Sequence, residues 1–358
     1  MNREKILGPL DSADDDDRSL RPKRMNEMVG QREVYERLMI AVEAAQKRDE
    51  PLGHILFDGP PGLGKTTFAT CIPRELGVPI EMATGASLRA PKDLLPYLTN
   101  LQEKCVLFID EIHRIPTAVE EYLYTAMEDF RIDLILGEGV NARTVNMSLK
   151  PFTLIGATTR AGMLTGPLRD RFQFREHLNF YTDEELTEIV KRNAIKLQME
   201  IDDESALEIA RRSRSTPRIA NNRLRCVRDY STAKADGVIN PEITLAALKM
   251  WEVDRLGLDR LDRKYLETIA KVFLGGPAGI EAIGHTMNVA LDTLTDEVEP
   301  FLLRSELIIR TPRGRMVTQK ALDHLGIQNI QAGTYSEADK ERSDDDSSDD
   351  DVQGNELF

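Results

Sequence analysis

Cysteine, tryptophan and long apolar runs are all scarce in this sequence, and each shortage excludes a class of protein. The 358 residues include one tryptophan and three scattered cysteines, Cys71, Cys105 and Cys226, without the spacing of metal ligands. We expect these cysteines to be reduced thiols in a cytoplasmic protein. No apolar run approaches the roughly 20 residues of a membrane span, and the first residues have no apolar stretch of the secretory type. The sequence therefore predicts neither a disulfide-linked secreted protein nor a membrane protein.

Positive charge is also in deficit, but the deficit lies mainly at the two ends. The formal net charge is -14, of which residues 1–18 carry -3 and residues 334–358 carry -8. The folded middle is left with about -3, so the net acidity says little about its working surfaces. Acidic runs such as "RSDDDSSDDD" repel themselves and bury too little apolar area to fold. We expect disordered acidic ends at 1–18 and 331–358, which act as solubilising tails or, alternatively, as interaction arms.

Strand-like and helix-like segments alternate over residues 19–182. Four short apolar segments, "GHILFD", "KCVLFID", "DLILGEG" and "FTLIGATT", are separated by helical stretches such as 117–129. This alternation is typical of a parallel sheet with helices on both faces. We therefore expect an α/β fold for this large first domain.

The pattern becomes helical after residue 182. Thr182 and Glu185 have the spacing of a capping box, and helical segments continue to residue 255. From residue 256 to 330, three helical segments precede two β-rich runs, "ELIIRT" and "RMVT". The chain is too long for one core, and this order predicts a small helical domain at 183–255 and a winged helix at 256–330.

A phosphate-binding motif follows the first strand. The segment "GPPGLGKTT" fits G-x-x-x-x-G-K-[ST] and lies between a predicted strand and a predicted helix. Backbone N–H groups at a helix N-terminus bind phosphate oxygens, helped by the helix dipole. Lys65 is expected to neutralise the β- and γ-phosphates of ATP, and Thr66 to hold Mg²⁺. The expected nucleotide contacts in this segment are Gly62, Gly64, Lys65, Thr66 and Thr67.

Two carboxylates end the apolar strand "VLFID" and begin the next turn. With a P-loop on a neighbouring strand, Asp110 is expected to hold Mg²⁺ through water. Glu111 is expected to polarise the attacking water as a general base. His113 has two interpretations, a proton relay or simple surface packing.

Such residues occur in kinases, GTPases, transporter ATPases and AAA+ motors, so the later segments decide between these classes. The stretch "LIGATTRAGMLTGPLRDRF" resembles the AAA+ sensor 1 strand followed by the helix of the arginine finger. By that resemblance Thr159, or less favourably Thr158, senses the γ-phosphate, and Arg171 reaches the ATP of a neighbouring subunit. The stretch "STPRIANNRLR" resembles the sensor 2 helix, with Arg218 at the γ-phosphate.

The resemblance narrows to one family of AAA+ proteins. In order along the chain, "SLRPKRMNEMVGQ", "GPPGLGKTT", "LFIDEIHR", "AMEDFRIDLILGEG", "TPRIAN", "FLGGPAGIEAI" and "RTPRGRM" together resemble the RuvB family. That family comprises bacterial ATP-driven motors of Holliday junction branch migration. The resemblance runs from about residue 19 to about residue 327 and implies a homo-hexamer that translocates double-stranded DNA. It also implies RuvA and RuvC as partner proteins.

The family resemblance adds contacts to the base of the nucleotide. Residues over the adenine or lining the same pocket are, by this resemblance, Leu20, Arg21, Glu128, Asp129, Phe130 and Tyr181. The sequence departs from the family at Ser215, where Gly is usual, and at Asn222, where an apolar residue is usual. Both departures concern the small helical domain rather than the expected nucleotide contacts.

Residues 131–150 predict a β-hairpin with one apolar face. Apolar residues alternate on both sides of "GEG", namely Ile132, Leu134, Leu136, Val145, Met147 and Leu149. An isolated hairpin is marginally stable in water, and an exposed apolar edge requires a partner. The resemblance implies that this partner is RuvA, whereas the alternative is that the face packs in the chain's own core.

A small basic surface lies near the end of the third domain. Residues 301–320 contain five basic side chains and a single acid, Glu306. Carboxylates at Asp296, Glu297 and Glu299 argue against insertion of the preceding helix into DNA. We expect instead that Pro312 and Gly314 fix a tight turn and leave the arginines free for phosphates. The predicted DNA contacts are Arg310, Arg313 and Arg315, and a solvated basic turn is the alternative.

Two rival functions remain at this stage. A clamp-loader ATPase shares the fold, but it is expected to carry a ring-assembly domain in place of a basic winged helix. A nucleotide-switched DNA-binding regulator needs no turnover, whereas this chain retains Glu111, Thr159 and Arg171. The sequence therefore favours the motor.

Overall fold

The computed structural model describes residues 19–136 and 143–327. Within them the chain forms two compact units, one up to Leu258 and one from Asp259. The acidic ends and the "GEG" turn of the predicted hairpin lie outside the described residues. Among the residues described, no helix is long and apolar enough to cross a membrane.

The first unit is built on a five-stranded parallel sheet with the order β2-β3-β6-β1-β7. Its strands are β1 (Ile55–Asp58), β2 (Ile80–Thr84), β3 (Val106–Asp110), β6 (Thr153–Thr158) and β7 (Phe174–His177). The sequence predicted the three central strands but missed β2 and β7. Both are edge strands with several exposed residues, so they lack the continuous apolar run of a buried parallel strand.

Two layers of helix cover the sheet, because successive side chains of each strand point to opposite faces. Phe57, Phe108 and Ile155 lie in one buried core cluster together with residues of α1 (Arg32–Arg48) and α2 (Lys65–Leu76). On the other face, Leu56, Leu107 and Leu154 pack with α3 (Pro91–Thr99) and α4 (Thr117–Asp129). A short helix, α5 (Gly166–Asp170), follows β6. The expected α/β architecture is confirmed.

The described part of "DLILGEG", residues 133–136, is not a strand of this sheet. It belongs to β4 (Arg131–Leu136), which pairs antiparallel with β5 (Arg143–Ser148) in a separate two-stranded sheet. At the base of this hairpin Ile132 and Leu149 are buried in the same core cluster as Phe152. Val145, further out, is 43% exposed. The apolar face is therefore divided, with its base in the chain's own core.

Four helices complete the first unit. They are α6 (Asp183–Lys196), α7 (Asp203–Arg211), α8 (Pro217–Lys234) and α9 (Pro241–Met250). The predicted capping box begins α6, since Glu185 N donates to Thr182 Oγ1 at 3.2 Å and Thr182 N donates to Glu185 Oε2 at 2.9 Å. Leu186, Val190 and Leu224 share the core cluster that covers Phe57. This shared core keeps α6 and α8 beside the end of the sheet where the motif residues lie.

The second unit has the winged-helix arrangement. Its helices are α10 (Arg260–Glu267, continued by the π-helical Thr268–Val272), α11 (Ile280–Met287) and α12, which begins at Leu291–Thr293 and ends as Glu299–Arg304. Strands β8 (Ile308–Thr311) and β9 (Gly314–Val317) form the wing, and an unpredicted helix α13 (Gln319–Leu325) follows. Gly314 has a φ of 136°, and a Cβ there would lie 2.5 Å from the carbonyl oxygen of Ala278. Only glycine fits this close approach.

Candidate nucleotide site

The Gly59–Thr67 segment connects β1 to α2 and folds as a phosphate-binding loop. Gly59 and Gly64 have φ values of 129° and 103°, which side chains rarely adopt. A Cβ on Gly59 would also lie 2.7 Å from the carbonyl oxygen of Leu178. The backbone therefore turns sharply and presents N–H groups at the N-terminus of α2, the arrangement that binds phosphate.

Lys65, the first residue of α2, lies inside this loop. Its side chain donates to the carbonyl oxygens of Gly59 at 2.6 Å and Pro60 at 2.8 Å. Burial lowers the pKa of Lys65 to about 8, although the nearby carboxylates of Glu111, Asp110 and Asp58 oppose this shift. The ammonium group is therefore enclosed by loop carbonyls and carboxylates, at the position where phosphates would bind.

Two side chains with oxygen atoms that can bind a metal ion, Thr66 on α2 and Asp110 at the end of β3, lie next to each other. Thr66 Oγ1 donates to Asp110 Oδ2 at 3.2 Å, and Asp110 Oδ1 accepts from Glu111 N at 2.9 Å. Hydroxyl and carboxylate oxygens suit Mg²⁺, which binds few protein ligands and keeps waters and substrate phosphates. Within the described residues, no cluster of three or more His, Cys, Asp or Glu side chains could hold a metal by itself. The donor set therefore fits a metal shared with a nucleotide.

Glu111 lies directly after β3 and contacts Thr159, the residue that follows β6. Thr159 Oγ1 donates to Glu111 Oε2 at 3.4 Å, and His113 Nδ1 lies 3.3 Å from the same oxygen. The hydroxyl of Thr158 is turned away, since it bonds His113 Nδ1 at 2.9 Å and is buried. Thr159 is therefore the better placed of the two threonines. The His113 side chain is only 7% exposed, and it packs between Thr158 and Glu111 rather than on an open surface.

One pocket gathers most of the residues that the sequence singled out. It is lined by Leu20, Arg21, Gly62, Gly64, Lys65, Thr66, Thr67, Asp110, Glu111, Thr159, Tyr181 and Arg218. Tyr181 OH donates to the carbonyl oxygen of Leu63 at 3.2 Å, and burial raises the pKa of this phenol. Arg218, the second residue of α8, lies beside the loop, with its N–H 3.4 Å from the carbonyl oxygen of Gly62. The small helical domain therefore closes the pocket over the loop.

Sequence reasoning missed the contribution of α6 and α8 to the other end of this pocket. Ile189, Asn193 and Asn221 line it, and Asn193 Nδ2 donates to Asn221 Oδ1 at 2.7 Å. Lys196 holds Leu20 in place by donating to its carbonyl oxygen at 2.8 Å. The one available signal was polar asparagine on an otherwise apolar helix face. Asn193 and Asn221 are 28 residues apart in the chain, and this signal does not show that their side chains pair.

The segment Glu128–Asp129–Phe130 lies outside this pocket of its own chain, and its expected contact with nucleotide stays a prediction. Phe130 instead packs edge-on against Phe152, with ring centroids 5.9 Å apart. Glu128 Oε2 accepts from Arg171 Nη2 at 2.9 Å. Arg171 also lies outside the pocket of its own chain. The segment and the predicted finger are therefore neighbours of each other.

Ser215 departs from the glycine that is usual in the family, and its backbone explains the preference. The residue has a φ of 56°, in the left-handed region. A non-glycine residue there costs roughly 1–2 kcal/mol. Its carbonyl oxygen nevertheless accepts from Tyr181 N at 3.0 Å, so the connection to the pocket is kept.

Comparison with known proteins agrees with this site. Three family profiles match successive parts of the chain: the "Holliday junction DNA helicase RuvB P-loop domain" over residues 20–178, the "RuvB AAA lid domain" over 181–254 and the "RuvB C-terminal winged helix domain" over 255–326. The chain belongs to the RuvB family. Nucleotide binding follows from this membership in a family of P-loop ATPases.

Individual relatives are similar over most of the chain. The "Holliday junction branch migration complex subunit RuvB" of Rhodopirellula baltica is 68% identical over 311 residues, which cover 87% of this chain and 85% of the relative. The solved "RuvB Holliday junction branch migration motor" of Thermotoga maritima is 45% identical, with a TM-score of 0.80 over 87% of this chain and 99% of that one. A single-residue variant of the same Thermotoga protein is 46% identical, with a TM-score of 0.81 over the same shares of each chain.

The wing of this RuvB-family chain differs from its predicted form. Glu299, one of the carboxylates that argued against insertion of this helix into DNA, is fully buried at the start of the last turns of α12. Its carboxylate accepts from Arg315 Nε at 2.8 Å, Arg310 Nε at 3.0 Å and Tyr265 OH at 2.6 Å. Arg310 and Arg315 are therefore not free, because a buried carboxylate requires charged partners. Arg313 is the exposed arginine of the turn and has no ion-pair partner among the described residues.

The ion pairs keep Glu299 ionised despite its burial. Burial opposes the charged form, but hydrogen bonds from Arg315, Tyr265 and Arg310 outweigh it and hold the pKa of this carboxyl below its usual value. The stabilisation is therefore present above the unfolded-state pKa of about 4.3 and is lost as the pH falls through the lower folded-state pKa.

Replacement of Arg315 tests this arrangement against the neighbouring Arg313. We expect Arg315→Ala to cost about 3 kcal/mol of unfolding free energy, because it leaves a buried carboxylate short of a charged partner. Arg313→Ala removes the same side chain from an exposed position and is expected to change stability by less than about 0.5 kcal/mol. Urea unfolding of the full chain, with hydrogen exchange in residues 259–327 to locate the effect, measures both. Equal stability of the two variants would contradict the assignment.

Proposed function

We propose that this chain is an ATP-driven DNA motor that moves Holliday junction branches. The observation that carries the proposal is one pocket in which the P-loop, Asp110, Glu111 and Thr159 meet while Arg171 lies outside it. A site of this form holds the groups that bind the nucleotide and the base, and an arginine finger is the further group that such sites use in the transition state. The relatives from Rhodopirellula and Thermotoga are both named for Holliday junction branch migration, which supports the choice of substrate.

The pocket residues divide the work of hydrolysis among them. Lys65 and the N–H groups of the loop bind the phosphates, and Thr66 and Asp110 hold Mg²⁺, which supplies neutralisation of the phosphate charge. Glu111 accepts a proton from the attacking water as the general base, and Thr159 fixes the position of that carboxylate through the 3.4 Å hydrogen bond. Arg218 approaches the γ-phosphate from the small helical domain. The adenine end lies between Leu20, Arg21 and the helices α6 and α8.

Hydrolysis in this scheme depends on assembly. Arg171 lies outside its own pocket, so its guanidinium is available to a site on a second copy of the chain. A finger supplied in trans accelerates phosphoryl transfer by orders of magnitude. The family membership supports a ring, and we propose the homo-hexamer.

The winged helix supplies the DNA contact. Phosphate contacts give affinity without base readout, which suits a motor that must move along any sequence. Arg313 at the tip of the wing is the principal contact, and Arg310, which is half exposed, adds charge beside it. Arg315 contributes mainly to the stability of the winged helix, because it pairs with Glu299. A clamp loader is not favoured, because the second unit is a winged helix rather than a ring-assembly domain.

The proposal also covers the protein partners of this chain and its location in the cell. We propose that the outer part of the hairpin 131–150, which exposes Val145, docks RuvA, and that RuvC joins the same complex. The Rhodopirellula relative is named as a subunit of a branch migration complex, which supports protein partners of this kind. The cytoplasm is the proposed location, in keeping with a DNA-processing relative.

A four-way DNA junction with labelled arms tests the function directly. With ATP, Mg²⁺ and RuvA, we expect the wild-type chain to separate the junction into two duplexes. Glu111→Gln should bind ATP and the junction normally but lose turnover by about 10²–10⁴-fold, because only the general base is removed. Junctions that stay intact despite ATP hydrolysis would contradict branch migration, and unchanged hydrolysis in Glu111→Gln would contradict the role of Glu111.

The salt dependence of duplex binding tests the wing. Arg313→Ala should weaken binding equally for unrelated sequences and reduce the slope of log K against log salt by about one, because one phosphate contact is lost. Arg313→Lys keeps the charge and should keep the slope. A loss confined to particular DNA sequences would show base readout in place of a phosphate contact.

A further inference from the structure

A polar cluster at the junction of α4 and α5 surrounds Arg171. Its guanidinium carbon lies 4.6 Å from the ring centroid of Tyr124, over the face of the ring. One end of the guanidinium donates to Glu128 at 2.9 Å and the other to the carbonyl oxygen of Pro167 at 2.7 Å. The side chain is 22% exposed. The orientation of Arg171 is therefore set by contacts with its own subunit.

The ring of Tyr124 is itself fixed by a buried carboxylate. Its hydroxyl lies 2.8 Å from Thr165 Oγ1 and 3.3 Å from Glu120 Oε2. Thr165 donates to the same Glu120 oxygen at 2.6 Å, and Glu120 is only 3% exposed. These hydrogen bonds hold the ring of Tyr124 against α5, the helix whose C-cap is Arg171.

Thr165 connects the cluster to the backbone that carries the finger. As the N-cap of α5 it accepts from Leu168 N at 3.4 Å, and Arg171 is the C-cap of the same helix. Glu120 therefore fixes both the start of α5, through Thr165, and the aromatic surface under the guanidinium, through Tyr124. None of these three residues was singled out by the sequence.

The ion pair between Arg171 and Glu128 can be replaced by a contact between Arg171 and another anion. Glu128 is 55% exposed, and an exposed ion pair contributes little to stability. Within the described part of the chain, Arg171 Nε is buried without a hydrogen-bond partner. A strong anion can therefore replace Glu128 at the outer end of the guanidinium while the ring contact with Tyr124 is kept, since cation–π attraction acts through the face of the side chain.

We propose that Tyr124 is a positioning residue for the arginine finger, supported from below by Glu120 and Thr165. It holds the Arg171 guanidinium flat so that its outer edge meets the terminal phosphate bound by a second copy of this chain. This inference rests on the proposed function, in which Arg171 acts in trans. Tyr124 then acts on the neighbour's active site and not on its own.

Mixing of two impaired variants separates this role from a structural one. Tyr124→Leu keeps a complete nucleotide pocket but removes the ring, whereas Glu111→Gln keeps the finger but lacks the base. We expect Tyr124→Leu alone to lower kcat about tenfold or more with little change in KM for ATP. Mixed rings in which Glu111→Gln subunits supply the finger should recover activity at the Tyr124→Leu sites. A mixture no more active than the sum of its components would overturn the proposal.

Two controls make the outcome unambiguous. Arg171→Ala mixed with Glu111→Gln must recover activity in the same way, and if it does not, the trans finger itself is wrong and the positioning role falls with it. Tyr122→Leu makes the same substitution on α4 without contact to Arg171, and it should leave the kcat of unmixed protein unchanged.

A milder variant keeps the test valid if Tyr124→Leu fails to fold. Tyr124→Phe retains the aromatic face and loses only the bonds to Thr165 and Glu120. We expect a loss of kcat of about threefold that is recovered by Glu111→Gln subunits. Activity equal to that of the wild type in Tyr124→Phe would overturn the part assigned to Glu120.

Discussion

The parallel pairing of β1, β3 and β6 is the constraint on which the nucleotide site depends. β1 and β6 are in register so that Asp58 lies beside Thr158, and β3 pairs with β6 on the other side. Strands that run in the same direction end at the same edge of the sheet. The phosphate loop, the Asp110–Glu111 pair and Thr159 follow these three ends directly. Residues 44 and 48 positions apart in the chain, Thr66 with Asp110 and Glu111 with Thr159, are thereby placed within hydrogen-bond distance.

A site built in this way favours catalysis shared between subunits. The sheet edge supplies the loop, the metal ligands and the base, but Arg171 follows a helix beyond β6 and is held by Glu128 and Tyr124 instead. In the proposed mechanism the Arg171 side chain of another copy of the chain completes the site, so hydrolysis would depend on assembly. The small helical domain adds Arg218 and the pocket wall from α6 and α8, which couples nucleotide binding to the position of those helices.

Local patterns in the sequence predicted the site well, whereas long-range packing was not readable. The P-loop, the paired acids and the capping box at Thr182 are contiguous motifs, and the structure has each at the expected position. The edge strands β2 and β7 were missed because they lack an apolar run. Glu299 was misinterpreted because nothing in "DEVEPFLLRS" indicates that one carboxylate turns inward to meet arginines 11 and 16 positions later. Tyr124 and Asn193 escaped notice for the same reason, since their partners come from other elements.

The central claim is that one subunit is catalytically incomplete, and the most direct measurement is ATP hydrolysis per subunit across a dilution series, with the oligomeric state followed by light scattering. The account predicts that the rate per subunit falls steeply as assemblies dissociate, while nucleotide binding by the separated chain persists. A verified monomer that hydrolyses ATP as fast as the assembly would contradict it.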